Sequence, residues 1–397
     1  MLNGKTILLA ITGSIAAYKA ANIVRMLKKL HCNVHVLMTQ NATNFIHPLT
    51  LETLSQNKCL IDTFDRNFQY SVEHVALAKQ ADLVLVAPAS ANIIGKLANG
   101  LADDMVTTTI MACPCKKIIS PAMNHNMFHN TIVQENVKKL QSHGYEIIPP
   151  SSGMLANGDI GDGRMPEESL IIEYVLKEIA FNKDLTGKKV LVTAGATMES
   201  IDPVRYITNH STGKMGIAIA RAAMQRGANV YLIAAHISVT PPPFINLILV
   251  KSALEMFEVV KKEAVNADII IKAAAVADYR PINISSQKIK KSDDNMSIQL
   301  ERTTDILAYL GKNKKPNQIL CGFSMETENL LKNSKKKLEK KNLDLIAANL
   351  LSQEGAGFAG DTNVLTLITK ENTTPLEKMS KDSAAHILLD TILKLSK

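Results

Sequence analysis

Thr193-Ala-Gly-Ala-Thr-Met-Glu-Ser-Ile-Asp-Pro-Val-Arg-Tyr-Ile-Thr-Asn-His-Ser-Thr-Gly-Lys-Met-Gly216 lies between the apolar run Lys189-Val-Leu-Val192 and the segment Gly216-Ile-Ala-Ile-Ala-Arg-Ala-Ala-Met-Gln-Arg226. The first flank reads as a buried strand; the second has helical periodicity and stops at Gly227. A polar, glycine-bearing stretch between a strand and a helix start opens a new domain. Gly195, Asn209, Ser211, Thr212, Gly213 and Lys214 offer backbone amides, the positive end of a helix dipole and a cation, a combination that suits a phosphate. The stretch has neither the Walker A spacing nor a clean GxGxxG. Taken alone, Ser211-Thr-Gly-Lys214 reads more simply as a capped helix start.

The same grammar appears on both sides of this stretch. Toward the N-terminus, residues 5–11 read as a strand, Thr12-Gly-Ser14 as a tight loop, 15–30 as a helix and 33–38 as the next strand. Further strands are expected at 81–87, 117–120 and 145–148. After residue 216 the strands recur at 227–233, 266–271, 296–300, 319–323 and 343–347, with helices at 326–341 and 380–395. Asn266-Ala-Asp-Ile-Ile-Ile271 echoes Gln80-Ala-Asp-Leu-Val-Leu85. Alternating short apolar strands and helices imply an α/β protein of two doubly wound, mainly parallel sheets, with ligands outside the carboxyl ends of the strands. The polar break at 182–187 divides the chain into domains 1–183 and 184–397.

Two domains fit a length of 397 residues. The formal net charge of +8 is compatible with anionic substrates, but the chain is also rich in Lys, Asn and Ile, so the charge carries little weight. Five cysteines without a secreted-framework spacing point to a reducing compartment. Cys113-Pro-Cys115 has no second Cys/His pair nearby to complete a zinc site. No apolar run is long enough to span a bilayer. The expectation is a cytoplasmic protein whose partners are neither nucleic acid nor membrane. The lysines of 335–341 read as a solvated helix face.

Several polar residues sit at expected strand ends. Ser90 and Asn92 in Ala87-Pro-Ala-Ser-Ala-Asn92 follow a strand and precede a helix, where they could bond a ligand or simply cap the helix. Asn124 in Pro121-Ala-Met-Asn-His-Asn-Met127 is placed similarly. His74 falls in a helical stretch, a common place for a structural histidine.

Together these elements are more specific than any one of them. Gly13-Ser14, Thr39, His74, Pro88-Ala-Ser-Ala-Asn92, Ala102-Asp-Asp-Met105, Pro121-Ala-Met-Asn124 with Met127, and Gly158-Asp-Ile-Gly-Asp-Gly-Arg-Met165 resemble the flavin-dependent cysteine decarboxylases. The second half resembles phosphopantothenate-cysteine ligase through Ile201-Asp-Pro-Val-Arg205, Asn209-His-Ser-Thr-Gly-Lys-Met-Gly216, Ala273-Ala-Ala-Val-Ala-Asp-Tyr-Arg280, Lys288-Ile-Lys-Lys291 and Lys341-Asn-Leu-Asp-Leu-Ile346. In that order the chain resembles the bifunctional coenzyme A biosynthesis proteins over nearly its whole length.

The resemblance implies a flavodoxin-like decarboxylase domain followed by a Rossmann-like ligase domain. The ligase would use CTP and Mg2+ to activate 4'-phosphopantothenate as an acyl-cytidylate, which L-cysteine then attacks. Its nucleotide positions would be Lys272, Ala273, Ala274, Asp278, Lys288, Thr304, Asp305, Ile306, Leu307, Phe323, Lys337 and Lys341, with Asn209 turning over the acyl-cytidylate. The magnesium ligands are not identified. The decarboxylase would hold FMN with Gly13, Ser14, Thr39, Ser90 and Asn92, use His74 as base and clamp the substrate carboxylate with Asn124. The resemblance also implies a homo-oligomer built from flavoprotein trimers and ligase dimers.

The chain departs from the family pattern at three places. Asn157 stands where the family has a cysteine that protonates the aminoenethiol, and an amide is not an acid of useful strength. This implies either another acid for the reductive step or a flavin domain that is only oxidatively decarboxylating or regulatory. Ala196 replaces a usual glycine, a mild change if its φ is negative, and Thr212 replaces serine.

Overall fold

A computed structural model describes residues 1–63, 73–154, 158, 160–291, 296–350 and 360–395, the side chains of 73 and 74 excepted. The chain divides into two compact units, Met1–Phe181 and Asn182–Lys397.

In the first unit five strands lie in the order Asn33–Met38, Thr6–Ile11, Leu83–Ala89, Lys116–Pro121, Glu146–Ile147. All neighbours are parallel. This is the 2-1-3-4-5 order of flavodoxin-like sheets, and the sequence expectation is met. The first strand shows why its run is apolar without alternation. Ile7, Leu9 and Ile11 enter one core and Leu8 and Ala10 the core on the opposite face, so every position from Ile7 to Ile11 is buried. Each fully buried Ile or Leu contributes about 1.5–3 kcal/mol relative to exposure. The expected helix 15–30 is in fact a 3₁₀ turn, Ile15–Lys19, leading into an α-helix, Ala20–Lys29.

In the second unit eight strands run in the order Asn246–Leu249, Asn229–Ala234, Lys189–Ala194, Ile269–Lys272, Ile319–Glu326, Leu345–Leu350, Thr366–Thr369, Thr373–Pro375. The first six are parallel and, numbered among themselves, give the Rossmann order 3-2-1-4-5-6. The last two are antiparallel additions. Residues 296–299, expected to start a strand, lie outside one; the strand there is Leu300–Arg302, paired with Tyr279–Pro281 away from the main sheet.

The echo between Ala81-Asp82 and Ala267-Asp268 has a structural cause. Asp82 accepts the Thr6 amide at 2.8 Å and Asp268 the Lys189 amide at 2.7 Å. In each sheet the carboxylate satisfies the first amide of the neighbouring central strand, a group that would otherwise lack a partner.

The stretch 193–216 is more structured than a loop. Met198–Ser200 pairs antiparallel with Tyr206–Thr208 before the helix Lys214–Gln225 begins. The positive φ of +81° falls on Gly195, while Ala196 takes no positive φ, so alanine is unstrained there. All five cysteines are free thiols. No helix among the described residues is long and apolar enough to cross a membrane.

Candidate active sites

Each unit has a cavity at the carboxyl ends of its parallel strands. In the first unit a cavity of about 600 Å3 opens where the strand order reverses, between the loops after Thr6–Ile11 and Leu83–Ala89. Gly13, Ser14, Ser90 and Asn124 line it. Ser14, Ser90 and Asn124 are helix caps: Ser14 Oγ accepts from the Ala16 amide at 3.4 Å, Ser90 Oγ from Ile93 at 3.4 Å, and Asn124 Oδ1 from Asn126 at 2.9 Å. Three helix starts therefore point amide dipoles at one space. The Asn124 amide oxygen is engaged by its cap, which leaves the NH2 group to donate into the cavity.

Thr12 fastens the two loops. Its Oγ donates to the Pro88 carbonyl at 2.8 Å and accepts from the Ser90 amide at 2.9 Å. Gly13 lets the next loop approach, because a Cβ there would stand 2.8 Å from Asn41 Cβ. Thr39 caps the turn holding Asn41, accepting from the Ala42 amide at 3.3 Å, and does not itself line the cavity. Asn92 is exposed on the helix Ala91–Ala98, also away from the wall. The His74 side chain and Asn157 lie outside the described residues. Lys19, Arg164 and Tyr18 also line it, and the remaining wall is apolar, with Phe45, Met123, Met127 and Met154 prominent. Singly these residues carry no signal; only the fold collects them.

The cavity of the second unit, about 390 Å3, has a different chemistry. Lys272, Ala274, Asp278, Thr304, Asp305, Ile306, Leu307, Phe323, Lys337 and Lys341 line it, and so do Arg302 and Tyr279, which sequence reasoning did not single out as site residues. Four cations thus face two carboxylates. Lys272 ends a buried strand and is itself buried, with Met256 Sδ 3.8 Å from its Nζ. Burial pushes its pKa down to about 7, and Lys337 and Lys341 add to the shift against the opposing pull of Asp305. Lys337 donates to the Phe323 carbonyl at 2.9 Å, and its pKa is lowered by burial and by Lys341. Lys341 pairs with Asp305 at 2.8 Å. Burial opposes ionisation of Asp305, but the Lys341 bond and the Ala308 amide at 2.9 Å outweigh it and hold its pKa low. The lysines at 337 and 341 therefore line a cavity, where the run 335–341 alone reads as a solvated face.

The other expected ligase residues, Ala273, Asn209 and Lys288, do not line this cavity. Asn209 Nδ2 donates to the Ala275 carbonyl at 3.3 Å, one residue beyond the wall residue Ala274. Lys288 is exposed on a segment fastened by Asp202 and Arg205: the Ile289 amide donates to Asp202 at 3.1 Å, and Arg205 donates to the Ile289 carbonyl at 2.6 Å. Arg205 also grips Asp202 through Nε at 2.9 Å. The Ile201-Asp-Pro-Val-Arg205 motif is thus the anchor of the lysine-bearing segment. Lys214, expected to meet a phosphate, pairs with Asp361 at 2.7 Å.

Residues 1–180 match the family model described as Flavoprotein, and residues 185–395 match the one described as DNA/pantothenate metabolism flavoprotein C-terminal domain. Fold, cavities and these matches define a two-domain flavoprotein of pantothenate metabolism. The Coenzyme A biosynthesis bifunctional protein CoaBC of Bacillus subtilis (strain 168) is 45% identical over 401 residues, covering 100% of this chain and 98% of that protein. The protein of the same name from Haemophilus influenzae is 44% identical, covering 99% and 98%. A crystal structure of the C-terminal domain of a CoaBC protein is 39% identical over 54% of this chain and 98% of its own, with a TM-score of 0.47. The chain belongs to the family of bifunctional coenzyme A biosynthesis proteins, and it is an enzyme with decarboxylase and ligase activities.

Proposed function

We propose that the unit from about residue 184 onward joins L-cysteine to 4'-phosphopantothenate at the expense of CTP, and that the unit before it decarboxylates the product, 4'-phosphopantothenoylcysteine, to 4'-phosphopantetheine with FMN. The observation that carries the ligase reading is the buried Lys272 beside Lys337, Lys341 and Arg302. A desolvated cation without a carboxylate of its own is matched to an anionic occupant, and a nucleotide triphosphate supplies the charge. Mg2+ keeps several waters and binds largely through substrate phosphates, so a dedicated protein cage is not required. Activation as an acyl-cytidylate replaces a poor leaving group by a good one, after which the cysteine amine attacks the carbonyl carbon.

The flavin cavity passes a comparable test of fit. Its apolar methionine and aromatic walls suit a planar ring system, and the helix starts at Ser14 and Ser90 suit a phosphate. When bound, FMN supplies a two-electron acceptor for the cysteinyl end of the substrate. Asn124 would orient the substrate carboxylate through its NH2 group, and His74 would take the proton. Exposed Ile15, Tyr18, Phe45 and Met154 surround this cavity and support an oligomer in which a second subunit covers its mouth.

Expression of residues 184–397 tests the division of labour. A folded fragment is expected to make 4'-phosphopantothenoylcysteine with CTP; failure by a fragment shown to be folded and dimeric would refute the assignment. Within the ligase, Lys288→Gln is expected to block formation of the acyl-cytidylate, whereas Asn209→Asp lets it accumulate. Equal levels of trapped intermediate in the two variants would show that their roles are not divided in this way.

A further inference from the structure

The helix His125–Phe128 and the hairpin formed by Ser151–Met154 and Ile160–Arg164 both contribute walls to the flavin cavity, the first through Asn124 and Met127, the second through Met154 and Gly163. On the side where they meet, His125, His129 and Asp162 bring one donor atom each within 4.8 Å of the others, the one such group of three among the described residues. The two histidines are four residues apart and so share a helical face. Their rings are 4.4 Å apart between centroids. The carboxylate comes from the hairpin, 33 residues or more along the chain, so the sequence gives no hint of the group.

The local geometry is prepared for ligation. His129 Nε2 is 3.4 Å from Asp162 Oδ2. Two donors at bond lengths of about 2.0–2.2 Å from a tetrahedral ion are separated by roughly 3.4 Å, so this pair already has the spacing. Ser152 hydrogen-bonds the other carboxylate oxygen, the outer-shell contact that fixes the orientation of a ligating carboxylate. Gly161 lets the His125 ring lie directly on the hairpin backbone, since a Cβ there would stand 2.7 Å from His125 Nδ1. That nitrogen accepts the Asp162 amide at 3.2 Å, so its lone pair is directed at the hairpin. An ion would take this lone pair in place of the amide, which water can satisfy at a half-exposed position.

We propose that His125, His129 and Asp162 form a binding site for a borderline divalent transition ion, zinc foremost, that ties the hairpin to the helix beside the flavin cavity. Two imidazoles and one carboxylate are the donor set of such ions, with a remaining position for water. Hard ions such as Mg2+ prefer all-oxygen sites and are excluded by the imidazoles. The ion bridges two elements that each supply cavity wall, so its binding slows the exit of flavin.

The test uses the full chain with its flavin, stripped by chelator and titrated with Zn2+ alone by calorimetry, with Co2+ absorption as a second reading of the donor set. One ion per chain is expected. His129→Ala and Asp162→Asn, at side chains 49% and 41% exposed, should keep their circular dichroism melts and bind at least tenfold more weakly. Cys115→Ser, which removes the half-buried thiol of the Cys-Pro-Cys segment, should bind as the unaltered chain does. Flavin release from the unaltered chain should slow on adding Zn2+ and should not respond in the two ligand variants. Equal affinity in the unaltered chain, His129→Ala and Asp162→Asn would overturn the site, as would absence of zinc uptake or its loss in Cys115→Ser.

Discussion

Lys272→Met is expected to make the nucleotide-free protein more stable while weakening CTP binding roughly a hundredfold, the scale on which an unpaired buried charge partner is lost. The two effects have one source. Burial lowers the Lys272 pKa from 10.5 to about 7, so between these values the folded chain binds fewer protons than the unfolded one. Stability of the unaltered protein therefore rises with pH across that window, and the penalty for charging the buried amine is largest at pH 7 and below. Methionine has no such penalty, and the gain in the variant should be about 2–4 kcal/mol near neutral pH, fading as pH approaches 10.5. Thermal melts of the ligand-free chain at several pH values read this directly; a destabilised variant at neutral pH would contradict it.

The same lysine sets the pH dependence of binding. An anion in the cavity favours the ammonium form and raises its pKa, so CTP binding takes up a proton above pH 7, and affinity falls as pH rises from 7 to 9. Calorimetry in two buffers of different ionisation enthalpy should show this uptake in the unaltered protein and its reduction in Lys272→Met. No difference between the two proteins would remove Lys272 from the phosphate site.

Gly311→Ala is expected to destabilise the second unit by about 2–3 kcal/mol and to weaken CTP binding tenfold or more, although alanine ordinarily improves a helix by about 1 kcal/mol. Gly311 lies in the helix Ile306–Asn313, where an added Cβ would stand 1.8 Å from the Lys341 carbonyl oxygen and 2.8 Å from its carbon. Asn342 holds the same junction by donating to the Gly311 carbonyl at 3.0 Å. The alanine must push the backbone at Lys341 away from the helix that Asp305 caps, and both residues line the cavity. Gly95→Ala is the matched control. Its added Cβ, in the helix Ala91–Ala98, would meet only Asn136 Nδ2 at 3.8 Å, so a gain of about 0.5–1 kcal/mol is expected there. Thermal melts and CTP titrations decide it; a stabilised, fully binding Gly311→Ala would mean that the contact is easily relieved.

Much of the architecture follows from local pattern alone. The runs at 7–11, 83–89 and 190–194 are almost wholly apolar because both faces of a parallel sheet are covered, and the first two are followed by a glycine- or serine-bearing turn into a helix. Such alternation dictates two doubly wound sheets, and the motifs at the strand ends carry the family resemblance. The antiparallel strands Thr366–Thr369 and Thr373–Pro375 are not legible in the sequence, since both are short and threonine-rich and show too few positions for a period. The hairpin within 193–216 is not legible either, because a three-residue strand has too few positions to show a period.

The sequence by itself determined the α/β grammar, the expected break between two domains and the motifs at the strand ends. Tertiary structure alone decided that Lys272 loses its water, that Lys337 and Lys341 turn into a cavity, that Arg302 joins them, and that Asp162 reaches the histidines at 125 and 129. Periodicity is a property of neighbouring residues and is written along the chain. Desolvation and the meeting of charges depend on which distant segments the fold brings within a few ångströms.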